Sequence, residues 1–221
     1  MSGTPDHVPP AGAPRQRHWD AVYLSRGEQQ VSWYQADPAL SAGLIADQAA
    51  TMTAGKDSPV IDVGGGASLL ASRLVSAGFT DVTVLDVSQA ALAAAARRPG
   101  GAKVTRIHAD LLDWPPPRRY RIWHDRAVFH FLTSAADRAA YLATLRAALA
   151  GGGAIVLATF AADGPESCSA LPVARYDTAG LAAELTAAYG AAVTITGHRT
   201  QQHRTPAGAI QPFTWITAHL T

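Results

Sequence analysis

The sequence predicts an α/β fold with a doubly wound, mostly parallel seven-stranded sheet and a C-terminal antiparallel hairpin. Three observations predict it. Short apolar runs alternate with longer helical segments, glycine or proline ends most of these segments, and no helix separates the last two apolar runs. Strands that alternate with helices of this length are typical of a parallel sheet covered by helices on both faces.

Seven apolar runs have the length and the flanking residues of strands. They are Val60–Val63, Val82–Asp86, Val104–His108, Arg121–His124, Ala154–Thr159, Val193–Thr196 and Phe213–His219. The predicted helices are Ser41–Met52, Leu69–Ala77, Gln89–Arg98, Ala136–Ala150 and Thr178–Tyr189. Ser88 is a natural N-cap for the Ala-rich helix that follows it, and a polar loop is expected between the last two strands.

Composition is that of a globular protein and favours no macromolecular partner. Hydrophobic residues make up 48% of the chain and charged residues 16%, with a formal net charge of +1. Such a small net charge predicts neither nucleic-acid nor membrane binding. The single cysteine, Cys168, allows no internal disulfide, so a cytoplasmic location is expected. The histidines and Cys168 lack the short repeated spacing of a zinc motif, so no metal is expected.

The ends of the chain differ in composition. Residues 1–17 include a stretch rich in Pro, Gly and Ala, and are predicted to be a disordered tail. Residues 18–221 have the length of one domain. Within it, residues 18–52 are expected to form N-terminal helices that cover the site, and residues 59–221 the core.

A glycine-rich turn and three acidic residues predict a nucleoside site. The first strand ends in Gly64-Gly65-Gly66, which allows a sharp turn and a close approach of the backbone to a ligand. Asp86 ends the second strand about 20 residues after the turn, where an acid can bind ribose hydroxyls. Asp110 follows the third strand, where it can accept from an adenine amine beside Leu111. With Asp62, these acids share one edge of the sheet.

From about His18 to the C-terminus, the chain resembles the class I S-adenosylmethionine-dependent methyltransferases, which have a Rossmann-like sheet. The segments that carry the resemblance are Val60–Gly66, Val84–Ser88, Ala109–Leu111 and Leu149–Gly153. The resemblance implies S-adenosylmethionine as cofactor, with its methionine part at the glycine turn and its ribose and adenine at the next two strands. The implied cofactor-binding residues are Asp62, Gly64, Gly65, Gly66, Asp86, Val87, Asp110 and Leu111.

The N-terminal segment and the strand-four loop are similar to two subgroups of that family. Thiopurine methyltransferases carry an Asp-Arg step like Asp125-Arg126, and small protein lysine methyltransferases often carry an acid-Lys step there. Both begin with a similar aromatic segment that covers the cofactor. The resemblance implies Trp19 and Tyr23 at the cofactor, and Trp33 and Tyr34 facing the methyl group. Alternatively, these aromatic residues pack the first helix onto the sheet.

Methyl transfer needs a general base only if the acceptor must lose a proton. His124 and His130 are the candidate catalytic residues, because imidazole titrates near neutral pH. His124 is equally a candidate cofactor contact, and His130 a core residue. Asp125 is expected to orient Arg126 through a bidentate pair, or to form a structural pair with it. The candidate substrate residues are Trp33, Tyr34, Arg126, Phe129, Phe160, Arg175, Tyr176 and His203.

These features favour a methyltransferase that acts on a nitrogen, sulfur or oxygen atom of a small molecule. Arginine and histidine residues in the predicted substrate loops favour a small acceptor over a basic protein tail. A protein lysine methyltransferase is the alternative. A nicotinamide-dependent oxidoreductase is less favoured, because Ser68 replaces the glycine that packs a helix around a pyrophosphate.

Overall fold

The structure, a computed structural model, describes residues 12–98 and 100–221. The predicted tail at residues 1–11 lies outside these ranges. The prediction is wrong for residues 13–17, because the first helix, α1, spans Ala13–Arg26. Pro14 is compatible with this helix, since the N–H groups of a first helical turn have no partner within the helix.

Side chains cap three of the helices. Ser88, Ser134 and Asp177 each accept a hydrogen bond from a backbone N–H in the first turn of the helix that follows. Such caps satisfy donors that a helix leaves without partners. The helices are α1, α2 (Ala39–Ala50), α3 (Leu70–Ser76), α4 (Gln89–Ala96), α5 (Ala135–Ala148) and α6 (Thr178–Tyr189).

The strands form a seven-stranded sheet and a small separate hairpin. They are β1 (Val60–Val63), β2 (Val82–Asp86), β3 (Val104–His108), β4 (Tyr120–Arg126), β5 (Leu149–Phe160), β6 (Ser167–Cys168), β7 (Leu171–Pro172), β8 (Val193–Arg204) and β9 (Ile210–Leu220). The large sheet has the order β3-β2-β1-β4-β5-β9-β8, and β6 pairs with β7. Strands β1 to β5 are parallel, whereas β9 runs antiparallel to β5 and β8. The predicted fold class is therefore confirmed.

The strand order places a ligand crevice at the centre of the sheet. The chain builds outward from β1 to β3 on one side and from β4 to β5 on the other, so the order switches between β1 and β4. Ligands of open α/β sheets bind beyond the carboxyl ends of the strands at this switch. Every residue of β1 and β2 is buried, which anchors the two loops that begin there.

The strands after β3 extend beyond their predicted ends. β4 continues through Arg126, and β5 begins at Leu149, where the preceding helix was predicted to run to Ala150. The C-terminal hairpin is also longer, because β8 and β9 pair from Val193–Leu220 as far as Arg204–Ile210. Exposed polar residues alternate along β8, and this hides the strand from a search for apolar runs.

No helix in the described ranges is long and apolar enough to cross a membrane.

Candidate functional site

Two adjoining cavities lie at the carboxyl edge of the sheet. The main cavity has a volume of about 460 Å³ and is lined by Asp86 and Asp110, among others. The smaller cavity, of about 50 Å³, is lined by Asp62 and the glycine turn. Residues that line both are Tyr23, Trp33, Gly64 and Arg126. A volume of several hundred cubic ångströms is ordinary for a small-molecule site.

Asp62 is held rigidly and keeps one oxygen free. Its Oδ1 lies 2.7 Å from His124 Nδ1, and His124 Nε2 lies 3.0 Å from Ser41 Oγ. Asp62 Oδ2 is buried and has no hydrogen-bond partner among the described residues. A buried carboxylate oxygen is costly without a partner, so this atom marks a place for a donor or a cation.

His124 therefore positions Asp62 and is not placed to act as a base. Both ring nitrogens are within hydrogen-bond distance of protein groups, and the side chain is buried. An imidazole that donates to a carboxylate and accepts from a hydroxyl has no free nitrogen for a substrate proton. Its predicted catalytic role is corrected on this ground. His124 also lines the smaller cavity, and its contact with the cofactor stays a prediction.

The glycine turn passes close to the carboxylates of Asp62 and Asp86. A Cβ at Gly65 would lie 2.3 Å from Asp62 Oδ2, and one at Gly66 would lie 2.8 Å from Asp86 Oδ2. Gly64 has a φ of +64°, and a Cβ there would lie 2.0 Å from Val128 Cγ2. The turn therefore needs glycine for space and, at Gly64 and at Gly66 with its φ of +43°, for conformation.

Asp86 is buried at the end of β2. Its Oδ1 accepts a hydrogen bond of 2.7 Å from the Ser88 N–H. Burial, together with the neighbouring charges of Asp62 and Asp20, raises the pKa of Asp86 to about 7. Tyr23 approaches from α1, and burial next to Asp86 raises the pKa of the Tyr23 hydroxyl as well.

Asp110 has partners within the chain. Its Oδ1 accepts from the Leu112 N–H at 3.0 Å, and its Oδ2 accepts from Arg15 Nη1 at 2.7 Å. Each carboxylate oxygen has two lone pairs, so Oδ2 can still accept an adenine amine beside Arg15. Val87 and Leu111 line the main cavity next to Asp110 and supply apolar surface for a ring.

The N-terminal segment lies over the cavities. Asp20 accepts from Ser88 Oγ at 2.7 Å and from the Ala90 N–H at 3.0 Å, which fastens α1 to the start of α4. Further along, the Ser32 carbonyl lies 2.7 Å from His203 Nε2. The segment is thus tied to the sheet at both ends.

The four aromatic residues of this segment line different cavities. Trp19 lines the main cavity, and its ring meets that of Trp33 edge to face at 5.7 Å. Trp33 and Tyr23 line both cavities, and Trp33 Nε1 donates to the Tyr23 hydroxyl at 3.3 Å. Tyr34 lines only the smaller cavity. The segment both packs on the sheet and faces the cavities. The two hypotheses about its aromatic residues, packing of the first helix and contact with ligands, are therefore compatible.

The far end of the main cavity is aromatic and cationic. It is built from the loops after β4 and β5 and from β9, on the opposite side of the switch point from Asp86 and Asp110. The residues there are Arg126, His130, Phe131, Phe160, Cys168 and Phe213. The Arg126 guanidinium carbon lies 4.3 Å from the centre of the Phe213 ring. We call this part the aromatic end.

The predicted pair between Asp125 and Arg126 does not form. Both belong to β4, and neighbouring residues of a strand point to opposite faces. Asp125 instead accepts from the Val128 N–H at 2.8 Å and the Tyr141 hydroxyl at 2.7 Å. These bonds fix the turn at Ala127, whose φ of +76° is unusual for a residue with a side chain.

His130 is buried, and its hydrogen bond leaves no basic nitrogen free to accept a proton from a substrate. Its Nδ1 accepts from the Phe160 N–H at 3.3 Å, so the proton of the neutral ring is on Nε2. Burial, together with the nearby charge of Arg126, lowers the pKa of His130 to about 3. The nitrogen that remains free is a donor, and the predicted base is corrected accordingly.

Four other predicted substrate residues lie away from the cavities. Phe129 is fully buried, and its ring packs against those of Tyr141 at 4.9 Å and Tyr176 at 5.8 Å. Arg175 pairs with Glu166 at 3.0 Å. His203 fastens the N-terminal segment, as described above. Phe129, Arg175, Tyr176 and His203 support the loops around the cavities and do not line them.

Several residues that line or support the site were not predicted. Arg15 was assigned to the tail, although Pro14 before it is compatible with a helix start. Ser41 supports His124 from α2, and no local pattern signals that role. Phe131 and Phe213 belong to segments whose position was predicted. The direction in which their side chains point, toward the main cavity, was not predicted.

Part of the chain matches a known protein family. Residues 60–153 match a family model described as a methyltransferase domain. A search of curated protein sequences found no match. Among solved structures, the 1,6-didemethyltoxoflavin-N1-methyltransferase of Burkholderia thailandensis is 20% identical with a TM-score of 0.66, covering 100% of this chain and 93% of that one.

Two further structures are similar over nearly their whole length. One, from work on the conversion of a disulfide bond into a thioacetal group during echinomycin biosynthesis, is 19% identical with a TM-score of 0.71, covering 93% of this chain and 92% of that one. A methyltransferase of Anabaena variabilis is 17% identical with a TM-score of 0.67, covering 100% and 99%. At these identities the likeness shows the fold. Residues 60–153 therefore form a methyltransferase domain, and the fold around it is that of the class I methyltransferases that use S-adenosylmethionine.

Proposed function

We propose that the protein transfers a methyl group from S-adenosylmethionine to a nitrogen, sulfur or oxygen atom of a small molecule. The observation that carries this proposal is the division of the main cavity. Acidic residues line the part beside β2 and β3, whereas aromatic rings line the part beside β4, β5 and β9. The first part suits a nucleoside, and the aromatic end is large enough and apolar enough for a small acceptor.

The residues present fit the cofactor. Asp62 Oδ2, buried and without a partner, would accept from the α-ammonium group at the glycine turn. Asp86 would accept from the ribose hydroxyls. Val87 and Leu111 would pack on adenine, and Asp110 would accept from its amine. When bound, the cofactor supplies an activated methyl group on a sulfonium.

The protein then contributes alignment and exclusion of water. Trp19, Tyr23 and Trp33 cover the cavity from the N-terminal segment, which removes water from the space between cofactor and acceptor. Neither His124 nor His130 offers a free basic nitrogen in this arrangement. With these two histidines excluded, we expect the acceptor atom to react through a lone pair that it already has, and the rate to depend on its distance and angle to the methyl group.

A protein lysine methyltransferase is disfavoured by charge. The guanidinium of Arg126 stands at the aromatic end of the main cavity. A lysine ammonium group that entered there would meet a like charge. The toxoflavin-precursor methyltransferase named above acts on a small molecule, which supports the proposed substrate class. The match to a methyltransferase domain gives the nicotinamide alternative no support.

The substrate class can be tested with radiolabelled cofactor. Purified protein is incubated with methyl-labelled S-adenosylmethionine and a cell extract, which is then separated into small-molecule and protein fractions. The label should enter the small-molecule fraction. A Gly64→Ala variant, which should not hold the cofactor, gives the background. Label that enters only the protein fraction would replace this proposal by protein methylation.

The ionisation of Asp86 predicts a pH-dependent affinity for S-adenosylhomocysteine. Burial raises the pKa of Asp86 to about 7. Only the ionised carboxylate accepts from both ribose hydroxyls, and roughly one-tenth of it is ionised one pH unit below the pKa. Calorimetry should therefore show about tenfold weaker binding near pH 6 than near pH 8. The Asp86→Asn variant should bind S-adenosylhomocysteine more weakly than wild type at both pH values, and its affinity should no longer depend on pH. An unchanged pH dependence in Asp86→Asn would assign it to another group.

A further inference from the structure

Arg126 is a buried cation without a counter-charge. It ends β4 at the aromatic end of the main cavity, with its guanidinium against the Phe213 ring. Its Nη1 donates to the Trp33 carbonyl at 3.2 Å. Its Nε and Nη2 are enclosed and have no hydrogen-bond partner among the described residues. Burial lowers the pKa of Arg126 to about 10, so the group still carries its charge at neutral pH.

The carboxylate nearest in sequence does not compensate this charge. Asp125 points to the opposite face of β4 and binds the next turn and Tyr141. No ion pair within residues 12–98 and 100–221 includes Arg126. A buried charge without a partner destabilises a fold. A residue that is costly to stability and lines a cavity is typical of a binding site.

His130 adds a third unpartnered donor to the same cavity. Because its Nδ1 accepts from the Phe160 N–H, its Nε2 carries the proton, and this atom is buried without a partner. Arg126 and His130 both line the main cavity. Together they present only donors. Nε and Nη2 lie along one edge of a guanidinium, the edge that matches the two oxygens of a carboxylate.

We infer that the methyl acceptor carries a carboxylate, bound by the Nε–Nη2 edge of Arg126 with His130 Nε2 as a third donor. The rings of Phe131, Phe160 and Phe213 hold an aromatic body beside it. This inference rests on the proposed function, because it names the class of its acceptor. The cofactor's own carboxylate is the competing occupant, since Arg126 also lines the smaller cavity. His130, Phe160 and Phe213 line only the main cavity, which favours the acceptor.

The test compares benzoate with its neutral analogue benzamide. Dissociation constants are measured by NMR titration with and without bound S-adenosylhomocysteine. Wild-type protein should bind benzoate at least about tenfold more tightly than benzamide, as expected for a buried charge-assisted pair. Arg126→Gln should remove this preference, and His130→Phe should reduce it. Arg97→Gln, at an exposed arginine, should leave it unchanged.

Three results would overturn the inference. Equal binding of benzoate and benzamide to wild-type protein would remove the anion site. Phenyl phosphate bound tenfold more tightly than benzoate would assign a tetrahedral anion instead. A large loss of S-adenosylhomocysteine affinity in Arg126→Gln would assign Arg126 to the cofactor. If the protein prefers benzoate but binds no S-adenosylhomocysteine, the anion site exists and the proposed function is wrong. Failure of the inference and failure of the proposed function therefore give different results.

Thermal unfolding without ligands separates binding from a structural role. Arg126→Met replaces the unpaired charge by an apolar side chain of similar length, and should unfold at a higher temperature than wild type. A structural arginine would give the opposite result, because its hydrogen bonds would be lost. A lower unfolding temperature in Arg126→Met would therefore count against the inference.

Discussion

Gly64→Ala should abolish cofactor binding and lower the stability of the protein. The new Cβ would lie 2.0 Å from Val128 Cγ2, and the backbone at this position has a φ of +64°. Overpacking of this kind costs about 1–3 kcal/mol, and the left-handed conformation about 1–2 kcal/mol more for a residue with a Cβ. Calorimetry with S-adenosylhomocysteine and thermal unfolding measure the two effects.

A second glycine and a double variant provide the controls. A Cβ at Gly43, in α2, would meet nothing within 4 Å, so Gly43→Ala should bind normally and gain about 0.5–1 kcal/mol of stability. Val128→Ala combined with Gly64→Ala removes the overlap and should restore part of the lost stability. Wild-type binding and unfolding in Gly64→Ala alone would show that the turn is not constrained as described.

Asp62→Asn should weaken binding of S-adenosylhomocysteine by about 1.5–3 kcal/mol, or roughly 10- to 150-fold. The amide oxygen can still accept from His124, but the free acceptor at Oδ2 becomes a donor and the negative charge is lost. The α-ammonium group then has no counter-charge at the glycine turn. Stability without ligand should change little, because a buried carboxylate oxygen without a partner is replaced by an amide nitrogen without a partner in the same place.

The matched control is Asp163→Asn, which makes the same change at an exposed acid in the loop after β5. Its affinity should equal that of wild type. Ser41→Ala tests the support behind Asp62, since it removes the hydroxyl that lies 3.0 Å from His124 Nε2. It should give a smaller loss than Asp62→Asn. Full affinity in Asp62→Asn would place the ammonium group elsewhere.

Much of the fold was predictable because apolar runs and helix ends are local signals. β1, β2, β3 and α6 have the predicted bounds, and glycine or a capping residue adjoins two of them, β1 and α6. β8 was shortened in the prediction because one of its faces is exposed and polar. α1 was missed at Ala13–Arg17 because Pro, Gly and Ala before it resemble a tail, and none of its residues is buried.

The position of the acidic residues was predictable, but the partners of most site residues were not. The edge of a parallel sheet collects every residue that follows its strands, which is enough to bring Asp62, Asp86 and Asp110 together. Hydrogen bonds depend on which way a side chain points. Because β4 was predicted to end at His124, the alternation that separates Asp125 from Arg126 was not applied.

The central claim is that the cleft at the switch between β1 and β4 holds S-adenosylmethionine. Calorimetric titration of wild-type protein with S-adenosylhomocysteine tests it most directly, because this demethylated product binds without an acceptor and does not react. We expect one site per chain with a dissociation constant in the micromolar range, about −8 kcal/mol. Absence of binding to S-adenosylhomocysteine and S-adenosylmethionine, together with binding of a nicotinamide dinucleotide, would contradict the claim.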